Sequence, residues 1–255
     1  MHILLTNDDG LMAPGLQAAY NGLKARGHRV TACAPDSQRS ASSQAVTLDR
    51  PVKAAPWAMP DGALGFAVYG TPADCARLGL TTLARDPVDL VVSGLNDDTN
   101  LGFDVNYSGT VAAAIEAAAA GYPALAASLE RSDTMNWKLA VHVLVAVVDS
   151  LRTWKLPMGL AINLNIPANL STGRNDWFWT RIKLESSADY FEGEPHPDGS
   201  VLYRRRRPLE PARDLEREPN NDVEHAQQGH ITLSPILPHS CPEAVLTRLA
   251  AAGKM

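Results

Sequence analysis

The chain contains 255 residues, of which 45% are hydrophobic and 20% charged, proportions typical of a globular protein with a sizeable core. Its formal net charge of −5 excludes the overall basic field with which a protein holds a nucleic acid polymer. The three widely spaced cysteines, Cys33, Cys75 and Cys241, argue against a disulfide framework or a zinc site, and no segment resembles a signal peptide or a membrane span, so we expect a cytoplasmic protein.

Hydrophobic periodicity predicts alternating strands and helices over residues 1–167, which we treat as one α/β body. The predicted strands are 2–7, 28–34, 64–69, 88–94, 123–129 and 159–167. The predicted helices run from about 16 to Gly27, 72 to 84, 108 to Gly121 and 137 to 153, with Thr71 and Ser108 as N-caps. This alternation is typical of a doubly wound α/β fold with a mostly parallel sheet.

The pattern changes in residues 168–255, which we expect to form a C-terminal extension. Segments 177–185 and 200–209 predict antiparallel strands around the turn-rich stretch EGEPHPDGS, followed by a polar segment at 210–229. A returning strand is predicted at 230–236 and a terminal helix at 242–252. Such a hairpin arm often pairs with a second subunit. The basic run 204–207 is either a solvated face or a contact for phosphate or a partner subunit.

Unusual polar loops follow three of the predicted strands, and one predicted helix has an unusual polar start. The carboxyl ends of parallel strands share one edge of the sheet, where ligands bind. The four polar segments are 7–10, 35–40, 93–96 and 107–110. We therefore expect their side chains to lie near one another.

The composition of these loops suits a hard divalent cation beside a phosphate group. Asp, Ser and Asn offer only oxygen ligands, the set preferred by Mg²⁺, Mn²⁺ or Ca²⁺. The helix start Ser108-Gly109-Thr110 offers backbone N–H groups for a phosphate. Together they point to metal-assisted phosphoester hydrolysis. Composition alone leaves plainer interpretations open: Asp8-Asp9 as a turn, Ser40 as a loop hydroxyl and Ser108 as an ordinary N-cap.

Other catalytic signatures are missing from the sequence. It contains no G-x-G-x-x-G fingerprint, so an NAD-dependent enzyme on a similar fold is unsupported. It contains neither H-E-x-x-H nor G-x-S-x-G. These absences leave the cation and phosphate interpretation as the most specific one.

Several stretches resemble a known family. They are ILLTNDDG at 3–10, APG at 13–15, VTACAPDSQRSAS at 30–42, YGTPADC at 69–75, VVSGLN at 91–96, NLGFDVNYSGTVAAAIE at 100–116 and INLNIP at 162–167. In this order and spacing they resemble the SurE family of stationary-phase survival proteins, which are metal-dependent nucleoside monophosphate phosphatases.

The resemblance implies a fold, an activity and an assembly. Family members have a Rossmann-like α/β body and a C-terminal extension exchanged between subunits, which gives a homodimer or homotetramer. They hydrolyse nucleoside 5′-monophosphates, in some cases also 3′-monophosphates and short polyphosphate. They require one divalent metal ion per subunit, Mg²⁺ or Mn²⁺.

The resemblance also implies residue roles. The implied metal ligands are Asp8, Asp9, Ser40 and Asn96. The implied phosphate contacts are Asn100, Ser108, Gly109 and Thr110. Asp8, Asp9 and Asn96 are also the expected catalytic residues, and the nucleophile is either a water held at the ion or an aspartate, with Asp9 favoured.

Two departures from the family pattern bear on catalysis. Asp97-Asp98 follow the expected ligand Asn96, where most relatives carry a basic or small residue and then Gly. Gln44 stands where many relatives have His, and an amide cannot replace His in proton transfer. The departures leave an alternative, a nucleotide-binding or sensing protein with reduced catalytic activity.

Overall fold

In the computed structural model of the protein, the described residues are 1–154, 157, 159–170, 176–183, 189–206 and 220–237. The strands are β1 (His2–Thr6), β2 (Arg29–Pro35), β3 (Ala54–Ala58), β4 (Leu64–Val68), β5 (Leu90–Asn96), β6 (Ala124–Leu129), β7 (Ala161–Ile166), β8 (Trp177–Trp179), β9 (Tyr190–Pro195), β10 (Val201–Arg206) and β11 (Ile231–Ile236). The helices are α1 (Pro14–Ala25), α2 (Pro72–Leu78), α3 (Gly109–Ala119), α4 (Trp137–Leu151) and α5 (Asp222–Gln227), with a π-helical turn at Gly79–Leu83 and a 3-10 turn at Gly102–Asn106.

Nine of these strands form one sheet in the order β3-β4-β2-β1-β5-β6-β7-β11-β8. All neighbours in it are parallel except β3 with β4 and β11 with β7. The predicted doubly wound, mostly parallel α/β fold is therefore confirmed. The strand order reverses between β1 and β5, which is the topological switch point at which such sheets bind ligands.

Helices cover both faces of the sheet, which explains why the central strands are apolar throughout. The face of α1 that carries Leu16 and Leu23 packs with Leu144 of α4 in one core cluster. Val111 and Ala114 of α3 belong to the cluster on the opposite face. Burying each large aliphatic side chain contributes about 1.5–3 kcal/mol, so the two clusters fix the register of the strands and the positions of their ends.

The predicted N-caps are confirmed by their hydrogen bonds. The side chain of Ser108 accepts a hydrogen bond from the backbone N–H of Val111 at 3.1 Å. Thr71 and Asp74 form a reciprocal capping box at the start of α2. These caps fix the first turns of α2 and α3, and the start of α3 lies beside the loop that follows β1.

Three elements differ from the sequence prediction. The predicted helix 72–84 is divided into α2 and a π-helical turn. The edge strand β3 was not predicted, because AAPWA contains a proline and is only partly buried. Helix α5 was not predicted within the polar segment either. Its N-cap Asn221 accepts a hydrogen bond from the N–H of Glu224 at 2.9 Å, a local signal that the polar composition hid.

The predicted pairing of the C-terminal hairpin was wrong. Strand β10 pairs antiparallel with β9, not with 177–185, whereas β8 joins the main sheet parallel to β11. The stretch that was expected to be a turn supplies most of β9, because Glu192 and Glu194 form ion pairs with Arg206 and Arg204 across the hairpin. The predicted terminal helix 242–252 and the end of the predicted strand 200–209 lie outside the described residues.

Two of the cysteines lie in the core. Cys33 and Cys75 are free and buried, and the Cys33 thiol donates to the Cys75 carbonyl at 3.3 Å. Burial raises the pKa of Cys33 to about 12, so this thiol is inert at neutral pH. Within the part of the chain that the structure describes, no helix is long and apolar enough to cross a membrane.

Candidate functional site

The loop after β1 places two carboxylates at the switch point. Asn7 is fully buried, and its side chain closes a tight turn on Gly10: the amide nitrogen donates to the Gly10 carbonyl at 3.0 Å, and the amide oxygen accepts from the Gly10 N–H at 3.1 Å. Gly10 has φ of 104°, a conformation that favours glycine. The NDDG sequence therefore folds into a turn that presents Asp8 and Asp9 at the edge of the sheet.

Asp8 is held against the start of α3. Its side chain is buried, with a relative exposure of 5%, and Oδ1 accepts a hydrogen bond from the Thr110 hydroxyl. A Cβ atom at Gly109 would lie 2.7 Å from the Cβ of Asp8, which is too close for two carbon atoms. Glycine at this position therefore lets the helix start approach the carboxylate.

The carboxyl groups have unusual proton affinities. Burial raises the pKa of Asp8 above its ordinary value. Burial, and next the negative charge of Asp8, raise the pKa of Asp9 from 3.8 to about 7. Two acids that resist ionisation when side by side become stable as anions when a cation lies between them. The electrostatics therefore favour a positively charged ligand at this turn.

The other two predicted metal ligands lie beside the aspartates. The Gln38 amide donates to Ser40 Oγ at 3.0 Å and makes a longer contact with Asp9 Oδ1 at 3.4 Å, which links the loop after β2 to the loop after β1. Asn96 ends β5, and its amide nitrogen donates to the Asp98 carbonyl at 2.6 Å. The amide oxygen is therefore the atom with which Asn96 can bind a cation.

A cavity of about 280 Å³ joins most of the predicted site residues. Its lining includes Asp8, Ser40, Asn96, Asn100 and Ser108. The other three predicted residues are not part of this lining. Asp9 accepts the long contact from the Gln38 amide. Gly109 and Thr110, at the start of α3, pack against Asp8. The structure thus places five of the eight sequence-predicted site residues in the cavity wall and the other three beside it.

Asn100 is fixed by a buried polar network that sequence reasoning missed. Its side-chain nitrogen donates to Ser128 Oγ at 2.8 Å, and its carbonyl accepts from Asn163 at 2.7 Å and Asn165 at 3.1 Å. The Asn165 oxygen accepts the Asn100 N–H at 2.8 Å. The sequence did contain a signal for this network, namely the two asparagines of INLNIP. Burying a side-chain amide without a hydrogen-bond partner is costly, so two amides in a buried strand indicate polar partners nearby.

The two extra carboxylates after Asn96 are paired within the protein. Arg131 Nη2 lies 3.0 Å from Asp97 Oδ1, and its Nε lies 3.2 Å from the Asp97 carbonyl and 3.5 Å from Asp98 Oδ2. Arg131 follows β6, the strand beside β5, so this partner could not be recognised from local sequence. Gln44 lies elsewhere, in a neighbouring cavity of about 470 Å³ that shares Ser108 with the first.

Ser42 is a second residue that the sequence analysis missed. Its hydroxyl oxygen is buried and makes no hydrogen bond to any of the described residues. It sits beside the start of α3, since a Cβ at Gly109 would lie 2.9 Å from this oxygen. A buried hydroxyl without a partner is costly, so its position next to Asp8 favours a polar ligand there.

The donor set fits a hard divalent cation. The available side-chain atoms are carboxylate, hydroxyl and amide oxygens, as Mg²⁺ and Mn²⁺ prefer. Over the described stretches of the chain, no group of three or more His, Cys, Asp or Glu side chains could hold a metal ion. A cation here would therefore depend on two carboxylates supplemented by neutral oxygens.

Comparison with known proteins assigns the family. The model of the family described as Survival protein SurE matches residues 3–189. The chain belongs to the SurE family. A protein of Maridesulfovibrio salexigens named 5′-nucleotidase SurE is 38% identical over 237 residues, which cover 92% of each chain. One of the same name from Desulfitobacterium hafniense is 38% identical over 239 residues, covering 92% of this chain and 90% of that one.

A solved structure supports the same assignment. The SurE protein of Aquifex aeolicus superimposes with a TM-score of 0.79 at 27% sequence identity, and the match covers 100% of both chains.

Proposed function

We propose that this SurE-family protein is a divalent-metal-dependent 5′-nucleotidase that hydrolyses nucleoside 5′-monophosphates to nucleoside and phosphate. The observation that carries the proposal is the single cavity in which Asp8, Ser40 and Asn96, from three strand ends, meet the start of α3. Relatives that align over about nine tenths of this chain are named for the same activity.

The cation site is assigned to the four strand-end residues. Asp8, Asp9, Ser40 and Asn96 would hold one Mg²⁺ or Mn²⁺ ion per subunit. When bound, the ion supplies positive charge at the phosphoryl group and makes a nearby water more acidic. Asp8 is less free to act as a base because the Thr110 hydroxyl already donates to it. Asp9 is more exposed, and we assign to it the orientation and deprotonation of the attacking water.

The start of α3 is assigned to the phosphate. The side-chain oxygens of Ser108 and Thr110 are already engaged in hydrogen bonds, with the Val111 N–H and with Asp8. Because Ser108 Oγ accepts its bond, it keeps its own O–H to donate. This hydroxyl and the backbone N–H groups at the helix start, where the helix dipole also favours negative charge, are the groups left to bind a phosphoryl oxygen. Asn100 is fixed by its hydrogen bonds with the asparagines of β7 and positions the loop in front of the helix start. Donors of this kind stabilise charge that develops in the transition state, by about 2.7–4 kcal/mol each.

The substrate range, assembly and location form part of the same proposal. We extend the activity to 3′-monophosphates and short polyphosphate, since the groups that we assign to the substrate would contact its phosphate and not its base. We assign a homodimer or homotetramer to the C-terminal extension, because both strands of the β9–β10 hairpin are exposed throughout, including Phe191 and Tyr203. The buried free thiols suit the reducing cytoplasm.

A phosphate-release assay tests the proposal. Purified protein is incubated with the 5′- and 3′-monophosphates of adenosine and guanosine and with tripolyphosphate, each with Mg²⁺, Mn²⁺, Co²⁺ or a chelator. We expect release from the 5′-monophosphates with Mg²⁺ or Mn²⁺ and none with chelator. Nucleotide binding without turnover under every metal condition would instead support the alternative of a sensing protein.

A further inference from the structure

The C-terminal hairpin turns one arginine of its basic run toward the cavity. Alternate residues of a strand point to opposite faces, and β10 follows this rule. Arg204 and Arg206 pair with Glu194 and Glu192 of β9 on one face of the hairpin. Arg205 points to the other face and lines the 280 Å³ cavity together with Asp8, Ser40 and Asn96. The run of arginines therefore contains two different kinds of residue.

Two contacts hold Arg205 in this position. Its guanidinium carbon lies 4.9 Å from the centre of the Tyr107 ring, a distance at which a cation is attracted to an aromatic face. Its Nη2 lies 2.5 Å from Asp189 Oδ2. Tyr107 immediately precedes Ser108, the N-cap of α3. The guanidinium is therefore held beside the helix start that we assign to the phosphate.

The charges of the cavity make this arginine important. Among the described residues, the carboxylic acid and guanidinium side chains of the lining are Asp8, Asp97, Asp98, Asp104, Arg131 and Arg205. Arg131 is already committed to Asp97 and Asp98. The side chains around a phosphate dianion would therefore be mainly acidic. The positive charge available to it would come from a metal ion and from Arg205. A guanidinium has five N–H donors, so an ion pair with one carboxylate still leaves donors for a phosphate oxygen.

We propose that Arg205 is a substrate-binding residue that donates hydrogen bonds to the phosphate of the substrate, so that the C-terminal hairpin completes the phosphate site. This inference rests on the proposed function for the identity of the substrate. Within the basic run, Arg205 then serves the phosphate, whereas Arg204 and Arg206 stabilise the hairpin.

The test compares Arg205→Ala with Arg204→Ala. Each variant removes one guanidinium from β10 and breaks one ion pair with an acidic residue, Asp189 or Glu194, so general damage to the hairpin should be similar. The measurements are kcat and KM for adenosine 5′-monophosphate with Mn²⁺ and the inhibition constant of inorganic phosphate. Arg205→Lys keeps the charge but loses the planar fork of donors.

We expect Arg205→Ala to raise KM and the phosphate inhibition constant about tenfold, the effect of losing one hydrogen bond between charged groups, and to change kcat less than about threefold. Arg205→Lys should fall between Arg205→Ala and the wild type. Arg204→Ala should remain within about twofold of the wild type, because its guanidinium faces away from the cavity. Equal constants for the two alanine variants would overturn the proposal.

A binding measurement separates this inference from the proposed function. If the wild type releases no phosphate from any substrate, calorimetric titration with inorganic phosphate in the presence of Mn²⁺ still tests Arg205. About tenfold weaker phosphate binding by Arg205→Ala than by Arg204→Ala would support the inference without any turnover. Unchanged binding, or a wild type that binds no phosphate, would count against it.

Discussion

The β1 loop and the C-terminal hairpin deliver opposite charges to one cavity, but they are built in different ways. Asp8 is 5% exposed and fixed by Thr110 and Gly109. Arg205 has a side-chain exposure of 43% and comes from a strand with no buried residue. The core thus preorganises the half of the site proposed to bind the cation. The hairpin adds an exposed guanidinium, whose contribution we expect to be smaller and more sensitive to salt.

Replacing a carboxylate of the β1 loop should have the greatest effect on catalysis. Asp9→Asn should lower kcat by about 10³-fold or more, because the amide can neither accept the proton of water nor match a carboxylate as a cation ligand. Turnover of adenosine 5′-monophosphate with Mn²⁺ measures this loss. Asp49→Asn, at an exposed loop aspartate, is the matched control and should be unchanged. Wild-type turnover by Asp9→Asn would refute the assignment.

The Thr110 hydroxyl offers a narrower test of how the core fixes Asp8. Thr110→Val keeps the shape but removes the donor to Asp8 Oδ1, and we expect kcat to fall about 10- to 100-fold. Thr110→Ser retains the hydroxyl and should stay within about threefold. Equal rates for the valine and serine variants would show that the hydrogen bond from Thr110 to Asp8 does not contribute to catalysis.

The pH dependence of stability tests the electrostatics of the metal-free site. The pKa of Asp9 is about 7 in the folded protein, against an ordinary 3.8, so the folded state binds the proton more tightly. The favourable contribution is complete below pH 3.8 and is lost as the pH rises toward 7. Allowing for solvent screening, we expect chelated wild-type protein to lose about 2 kcal/mol of unfolding free energy between pH 5 and 8.

Chemical denaturation in the presence of a chelator measures that loss, and Asp9→Asn supplies the comparison. An amide does not titrate, so its stability should vary much less over the same range, and at pH 8 the variant should be more stable than the metal-free wild type. A wild type and a variant with parallel pH profiles would show that the carboxylate is not destabilised by its surroundings.

The smallest expected effect concerns the charge pairing at the rim between the two regions. Arg131→Ala leaves Asp97 and Asp98 without their guanidinium partner, and their repulsion of an anionic substrate should raise KM about fivefold. Replacing both aspartates by asparagine in the same variant should return KM to within about twofold of wild type. A triple variant as impaired as Arg131→Ala would mean that the arginine acts on the substrate directly.

The fold and the convergence of the polar loops could be predicted because their signals are local in the chain. The alternation of apolar strands and helices defined the sheet, and parallel strands necessarily end at a shared edge, so the loops at 7–10, 35–40 and 93–96 had to converge. The caps at Thr71 and Ser108 were recognisable from residue type and position.

The features that were missed depend on partners distant in sequence. Nothing near Asp97 reveals that Arg131 lies beside it, because the pairing arises only when β5 and β6 lie side by side. The asparagines of β7 make sense only once their partner Asn100 is known. The hairpin was misjudged because glutamate and proline suggest a turn, whereas cross-strand arginines stabilise a strand.

One buried carboxylate determines how far the protein can be shortened. Asp222, at the first turn of α5, accepts hydrogen bonds from the N–H groups of Gly102 at 3.0 Å and Lys183 at 2.9 Å. It therefore attaches the turn that precedes α3 to a segment more than a hundred residues later in the chain. The sequence pattern suggests that residues 1–167 could fold alone. A minimal active fragment would nevertheless have to retain the segment around Asp222, and we expect fusions or deletions there to lower the catalytic rate.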